Sequence, residues 1–378
     1  MDHVKRLNKL QKKLVESDFD GLVYGTGANF LYFTGLHVRW HRDDEPGEPT
    51  CFLLLREGED PRVILDTSWS HLASQSPVEV ELVSSQYELL TALGRYLKGT
   101  ERVGASQRAE AYIRELMRPV LPGVECDNGE LLGEHMRWIK EPEEIAFLRE
   151  LTGLTNRVME IVVDSVRPGI TQLEMQRLVA ETGLRIGAED ISFPSTVAYV
   201  KSGTEPTTDP FVYPAEEGLV PGTSIAFDFG FIREGYCSDY GRSFYSGPAP
   251  DHIANAYKAL QESQLHLISK MKPGQLKINQ MFDVIEAALD ERGYGDRIRA
   301  RLPERGLGHQ IGVDLHERPS LGPDSDVWLQ PGMVMAIEPK VWHPGEYYLR
   351  VEDIVLITEE GAESLTTFDR ELFELPLK

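Results

Sequence analysis

The chain has 378 residues, 41% of them hydrophobic, and a formal net charge of -22. That length and apolar content allow two domains, each with a sizeable core, while a negative field of this size repels the phosphates of nucleic acids and anionic membranes. Its three cysteines, Cys51, Cys126 and Cys237, are widely spaced and odd in number, which indicates neither a disulfide framework nor a thiolate zinc site.

The N-terminal stretch MDHVKRLNKLQKKLVESDFDG is charged and helical in period, unlike a secretory signal. No segment reaches the roughly 20 apolar residues that a membrane span requires. A cytoplasmic address is expected, with no nucleic-acid and no membrane partner. Short apolar strands at 21–24, 51–55, 63–65, 78–83 and 102–104 alternate with helical stretches, an α/β pattern that makes residues 1–132 one domain. Residues 133–378 form the second, entered through a long helix that opens at Glu141-Pro142 and carries Ile145, Leu148, Leu151 and Val158 at helical spacing. Within it a pattern recurs: a helix ends at Arg167-Pro168-Gly169 before another helix, and again at Lys272-Pro273-Gly274. Thr171 with Glu174 makes a capping box for the first of the following helices. Each half then runs on to a strand hairpin, which suggests a duplicated unit folded around a shared centre.

Each hairpin carries two acids. In SIAFDFGFIREGYCSDYGRSF, a turn centred between Arg233 and Glu234 sets Asp228 opposite Asp239; in GMVMAIEPKVWHPGEYYLRVEDIVLIT, a turn centred on Gly345 sets Glu338 opposite Glu352. Like charges facing each other on apolar strands are destabilising, so four such carboxylates call for a cation. The segment RGLGHQIGVDLHERP adds His309 and His316, whose neutral imidazoles suit transition metals. Mixed oxygen and nitrogen donors favour Mn, Co, Fe or Zn over Ca or Mg, and the number of donors exceeds the needs of one ion. The glycine-rich YGTGANF lacks both the G-x-G-x-x-G spacing and the P-loop lysine, and neither H-E-x-x-H nor G-x-S-x-G occurs.

These segments resemble the M24 metallopeptidases of pita-bread fold, which include Xaa-Pro dipeptidase (prolidase), aminopeptidase P and methionine aminopeptidase. DFGFIREGYCSDYGR resembles the family's D-x-G then S-D hairpin, GLGHQIGVDLHERP its G-H then H-E-x-P loop, and AIEPKVW with LRVEDIVLIT its two glutamate strands. DGLVYGTGANFLYFTG and the helix after RWIKEPEE are similar to the creatinase-like N-terminal domain of prolidases and aminopeptidase P. The resemblance implies an α/β creatinase-like N-terminal domain followed by an α+β pita-bread catalytic domain. It implies that Asp228, Asp239, His309, Glu338 and Glu352 hold two divalent ions, with Asp239 and Glu352 bridging them, manganese the first expectation and cobalt or zinc the alternatives. It further implies Glu338 as general base, His316 as hydrogen-bond donor to the tetrahedral intermediate, and Arg350 either behind the carboxylates, the favoured placement, or on a substrate carboxylate.

The sequence departs from the family where a Pro-His pair is usual and Asp209-Pro210-Phe211-Val212 stands instead. Phe211 offers a proline ring a packing surface but no hydrogen bond. Gln310 follows the ligand histidine where glycine is common, and Gly241 replaces a common threonine. In residues 36–49, Arg39 or Arg42 is a candidate for binding a dipeptide's carboxylate, across a homodimer as in relatives. The expected activity is hydrolysis of the bond preceding proline in Xaa-Pro dipeptides. Cleavage of longer peptides as aminopeptidase P, or a non-peptidase hydrolase or lyase reaction of the same fold, are the alternatives. Five intact ligands with His316 argue against a binding protein without catalysis.

Overall fold

The charged N-terminal segment folds as helix α1 (His3–Val15), which buries Leu7, Leu10 and Leu14 along one stripe. The computed structural model describes residues 1–38, 50–203, 216–371 and 373–377, so Arg39, Arg42 and Phe211 lie outside the described residues. Strands β1 (Gly21–Gly25), β2 (Phe52–Arg56), β3 (Arg62–Asp66), β4 (Glu79–Val83), β5 (Arg102–Ala105) and β6 (Glu125–Asn128) form one sheet in the order β4-β3-β2-β1-β5-β6. Helix α2 (Ala28–Thr34) follows β1, while α3 (Gln86–Tyr96) and α4 (Glu110–Met117) make the crossovers to the parallel strands β5 and β6. Leu89, Leu93, Ile113 and Met117 of those two helices pack on Val23, Phe52, Leu54, Ile64 and Val103. β6 escapes the apolar pattern because it is a sheet edge on which only Cys126 is buried. Helix α5 (Glu130–Arg137) ends the first unit, Met1–Arg137; the second is Trp138–Lys378. The expected boundary at 132 and 133 falls inside α5.

The second unit opens with α6 (Pro142–Asp164), in which Pro142 stands in the first turn and Glu141 and Glu144 form a capping box. Leu148, Leu151 and Val158 are buried, and Ile145 is half-buried. The Thr171 and Glu174 capping box opens α7 (Gln172–Arg185). There follow β7 (Asp190–Ile191), β8 (Thr196–Lys201), β9 (Thr223–Phe229), β10 (Phe231–Arg233), β11 (Tyr236–Cys237), β12 (Tyr240–Ser246), α8 (Asp251–Lys270), α9 (Met281–Asp290), α10 (Gly295–Arg301), β13 (Gly308–Gln310), β14 (Val334–Ile337), β15 (Lys340–His343) and β16 (Tyr347–Ile357). The main sheet runs β13-β14-β16-β12-β9-β8, with β15 also paired to β16.

The two halves repeat in detail. Gly169 N donates to Leu219 O at 2.8 Å and Gly274 N to Leu329 O at 3.0 Å. Isolated bridges join Thr171 to Gly218 and Lys277 to Trp328. Each half then passes a Pro-Gly pair and reaches an acid, Asp228 in β9 and Glu338 just after β14.

Alternation along the strands divides the sheet into two faces. Val197, Ile225, Phe227, Phe229 and Phe244 pack on Val158, Val162, Met175 and Val179 of α6 and α7. Leu349, Val351 and Val355 pack on Ile253, Leu260, Ile285 and Leu289 of α8 and α9. Burial of each such side chain contributes about 1.5–3 kcal/mol. Their neighbours Asp228, Gly241 and Glu352 therefore point to the other face.

Candidate metal centre

The central strand β12 positions the acids. Gly241 pairs with Asp228 of β9 on one side and with Glu352 of β16 on the other. This corrects the expectation that Asp228 faces Asp239. Arg233 pairs with Tyr236, and the turn residues Glu234 and Gly235 have φ of 48° and 76°, the geometry of a two-residue type I′ turn. That turn moves the hairpin centre by one residue and the register by two, so Asp239 keeps its face. Asp239 sits at the break between β11 and β12. There Ser238 N donates to Phe231 O at 2.8 Å, while its hydroxyl accepts from Phe231 N at 3.0 Å and from Thr155 Oγ1 at 2.7 Å.

In the second hairpin the register is as expected. Ile337 pairs with Asp353 and Lys340 with Arg350, which leaves Glu338 opposite Glu352 across the interruption at Pro339. β13 lies beyond β14 and sets His309 opposite Ala336. His309 Nδ1 is 3.0 Å from Gln310 O, so it carries a hydrogen to donate, and Nε2 faces Asp239 Oδ2 at 3.3 Å. His316 is exposed and stacks edge-on against His309, with ring centroids 4.4 Å apart.

The loop carrying both histidines is tied down by a group that the sequence reading did not single out. Lys140 Nζ and Glu317 Oε2 form a 2.9 Å ion pair with both side chains 1% exposed. Gln310, the departure from the usual glycine, lies with its Oε1 3.4 Å from Lys140 Nζ, and its Nε2 donates to Arg318 O at 3.1 Å. Its larger side chain therefore braces the loop.

One donor atom from each of Asp228, Asp239 and Glu352 lies within 4.8 Å of the others. Arg350 enters this cluster and pairs with Asp228, Glu338 and Glu352. Its Nη2 is 2.8 Å from Glu352 Oε2 without the alignment of a hydrogen bond. Both Glu352 oxygens and Asp228 Oδ1 are buried and accept no hydrogen bond among the described residues. Lys340, also missed, holds its ammonium 2.5 Å from Glu338 Oε2. The hairpin register placed Lys340 opposite Arg350 and was the one signal in the sequence for it.

The electrostatics follow from these contacts. Burial pushes the Asp228 carboxyl up to about 6, with Arg350 opposing and Asp239 and Glu338 adding to the push. Burial raises Glu352 well above the ordinary carboxylate range, against Arg350 and with the help of the other acids. Glu338 is held below that range, because Lys340 and Arg350 outweigh its burial. His309 is raised because Asp239 outweighs the cost of burying its charge. Four acids, three buried oxygens that accept no hydrogen bond among the described residues, and an imidazole nitrogen pointed at a carboxylate make a donor set suited to divalent cations.

The model of the Creatinase/Prolidase N-terminal domain matches residues 6–139, and that of metallopeptidase family M24 matches residues 146–359. YkvY of Bacillus subtilis (strain 168), provisionally named a dipeptidase, is 26% identical over 98% of this chain and 100% of its own. The fold matches a solved Xaa-Pro dipeptidase from Bacillus anthracis with a TM-score of 0.85 at 24% identity, covering 99% of this chain and 100% of the other. It matches the prolidase of Pyrococcus horikoshii OT3 with a TM-score of 0.84 at 22% identity, covering 97% and 99%. The architecture is a creatinase-like N-terminal domain followed by the pita-bread fold, as the sequence resemblance implied. The chain belongs to metallopeptidase family M24.

Proposed function

We propose that this M24 peptidase hydrolyses the peptide bond preceding proline in Xaa-Pro dipeptides, using two divalent ions held by Asp228, Asp239, His309, Glu338 and Glu352. The observation that carries the reading is the surplus of buried carboxylate on one face of the sheet, with three oxygens that accept no hydrogen bond among the described residues. When bound, a pair of divalent ions supplies a nucleophilic water at neutral pH and positive charge for the developing oxyanion. Asp239 from the first half and Glu352 from the second would be the ligands shared by both ions. Glu338, held ionised by its two cationic neighbours, accepts the proton of the attacking water. His316, exposed beside His309, donates to the tetrahedral oxyanion. Phe211 packs on the proline ring, and Arg39 or Arg42 is a candidate for the substrate carboxylate. The reading includes a cytoplasmic homodimer and manganese, with cobalt or zinc as substitutes.

Phe211 in place of the family's histidine supports a second reading, a non-peptidase hydrolase or lyase. The deciding experiment offers metal-stripped protein a Xaa-Pro dipeptide and a Xaa-Pro-Yaa tripeptide, with manganese, cobalt or zinc restored. Metal-restored cleavage of the dipeptide alone is expected. Cleavage of the tripeptide moves the assignment to aminopeptidase P, and cleavage of neither moves it to the second reading.

A further inference from the structure

Lys340 begins β15 with a side chain only 14% exposed and its ammonium against Glu338. Strand pairing sets Lys340 opposite Arg350, and Trp342 opposite Tyr348 two residues further on. Glu338, Lys340 and Trp342 thus share a face, which passes from the carboxylates through a pair of cations to a pair of aromatics. Trp342 and Tyr348 pack there with Ala198, Val200 and Ala226, and the Arg301 guanidinium stands 5.5 Å from the centroid of the Tyr348 ring. Trp342 Nε1 is a buried donor without a hydrogen-bond partner among the described residues.

Charge decides what this arrangement is for. Asp228, Asp239, Glu338 and Glu352 carry four negative charges, which two divalent ions balance by themselves. Arg350 touches three of the acids, whereas Lys340 pairs with Glu338 alone among the described residues. With Glu338 shared by an ion, the nearly buried Lys340 ammonium would keep only the more distant Asp228 as counter-charge, a costly state that an anionic ligand relieves.

We propose that Lys340, with Trp342 Nε1 as a second donor, binds the free carboxylate of the substrate and thereby selects dipeptides, an inference that rests on the peptidase reading above. The span is suitable. A dipeptide's carboxylate lies one residue, about 3.3–3.6 Å of chain, beyond the scissile bond. Lys340 lies one same-face step, about 6–7 Å, beyond Glu338 and has a long side chain with which to reach back. The assignment replaces Arg39 and Arg42 as candidates for that carboxylate and needs no residue from outside the catalytic unit.

The test compares wild type with Lys340→Met, Lys340→Arg and Trp342→Phe on a Xaa-Pro dipeptide and its C-terminal amide, with metal content measured for each protein. Lys340→Met should raise KM for the free acid at least about tenfold more than for the amide, Lys340→Arg should recover part of that difference, and Trp342→Phe should show a smaller loss of the same kind. Calorimetry with glycylproline and its amide supplies a readout independent of turnover: the free acid should bind wild type more tightly than the amide does, and the difference should vanish in Lys340→Met. Equal losses on acid and amide, or a loss confined to metal content, would overturn the assignment. Failure of wild type to cleave either substrate would instead overturn the peptidase reading, and the calorimetric comparison would then decide the role of Lys340 alone.

Discussion

Strands β12 and β16 carry two buried charge clusters on opposite faces, built from adjacent residues. On the helix face, Arg242 Nη2 pairs with Asp353 Oδ1 at 2.9 Å, both side chains fully buried. Arg370 pairs with the other Asp353 oxygen, which Ser364 Oγ also reaches at 3.3 Å, and Gln264 Oε1 accepts from Arg370 at 3.1 Å. On the site face Glu352, next to Asp353 in sequence, is equally buried, yet neither of its oxygens accepts a hydrogen bond among the described residues. The strands and the depth of burial are shared, so the difference lies in the ratio of cations to acids: two arginines serve one aspartate on the helix face, whereas four acids crowd the site face. An acid bonded on both oxygens holds the fold together, whereas a surplus of acids is suited to cations.

The largest effect should come from breaking the fully bonded cluster. Arg242→Met leaves Asp353 Oδ1 without its partner in the core, with Arg370 on the other oxygen only, and should cost about 3–5 kcal/mol, read from urea unfolding, with no rescue by added manganese. A cost under about 1 kcal/mol would show that the two faces do not differ in the way described.

Glu352→Gln tests the other face. Removing one charge from an overloaded cluster should leave the metal-stripped protein at least as stable as wild type, while divalent-ion affinity falls about 100-fold or more, as measured by calorimetry. A protein destabilised as strongly as Arg242→Met would mean that Glu352 is a structural acid.

Gly241→Ala sharpens the comparison with a single methyl. An added Cβ would stand 2.6 Å from both Glu352 Oε2 and Arg350 Nε, so these side chains must move. The expected cost is about 1–3 kcal/mol, accompanied by weaker ion binding. An alanine accepted without change in either measurement would show that the two side chains yield freely.

The smallest effect is a pH dependence of the metal-stripped protein. The folded-state pKa of Asp228, about 6, lies above its ordinary value of 3.8. Its contribution to stability is therefore fully present below pH 3.8 and is lost as pH rises through about 6. Urea midpoints should fall across that window and recover when divalent ions are added at neutral pH. Flat midpoints would show that Arg350 offsets the burial completely.

Much of this was legible along the chain because the signals are local. The Thr171 and Glu174 capping box, the Glu141-Pro142 helix start and the turn at Pro344-Gly345 depend on residues a few positions apart, and each forms where the sequence places it. The acids were recognisable because like charges on apolar strands are conspicuous. The first hairpin's register was not, since a positive φ at Glu234 is a choice between turn types that its composition leaves open. β6 was missed because an edge strand with one buried residue needs little apolar patterning.

The sequence by itself therefore determined the two-domain order, the repeated helix and hairpin units, and the acids and histidines of the candidate site, since each follows from local periodicity or from residue chemistry. The tertiary structure alone decided which charges meet. Asp353 finds Arg242 across 111 positions and Glu317 finds Lys140 across 177, separations over which no pattern along the chain carries information. It also decided that Gly241 stands between Asp228 and Glu352 and that Lys340 reaches Glu338, because the sign and distance of a buried charge's neighbours exist only once the strands are laid side by side.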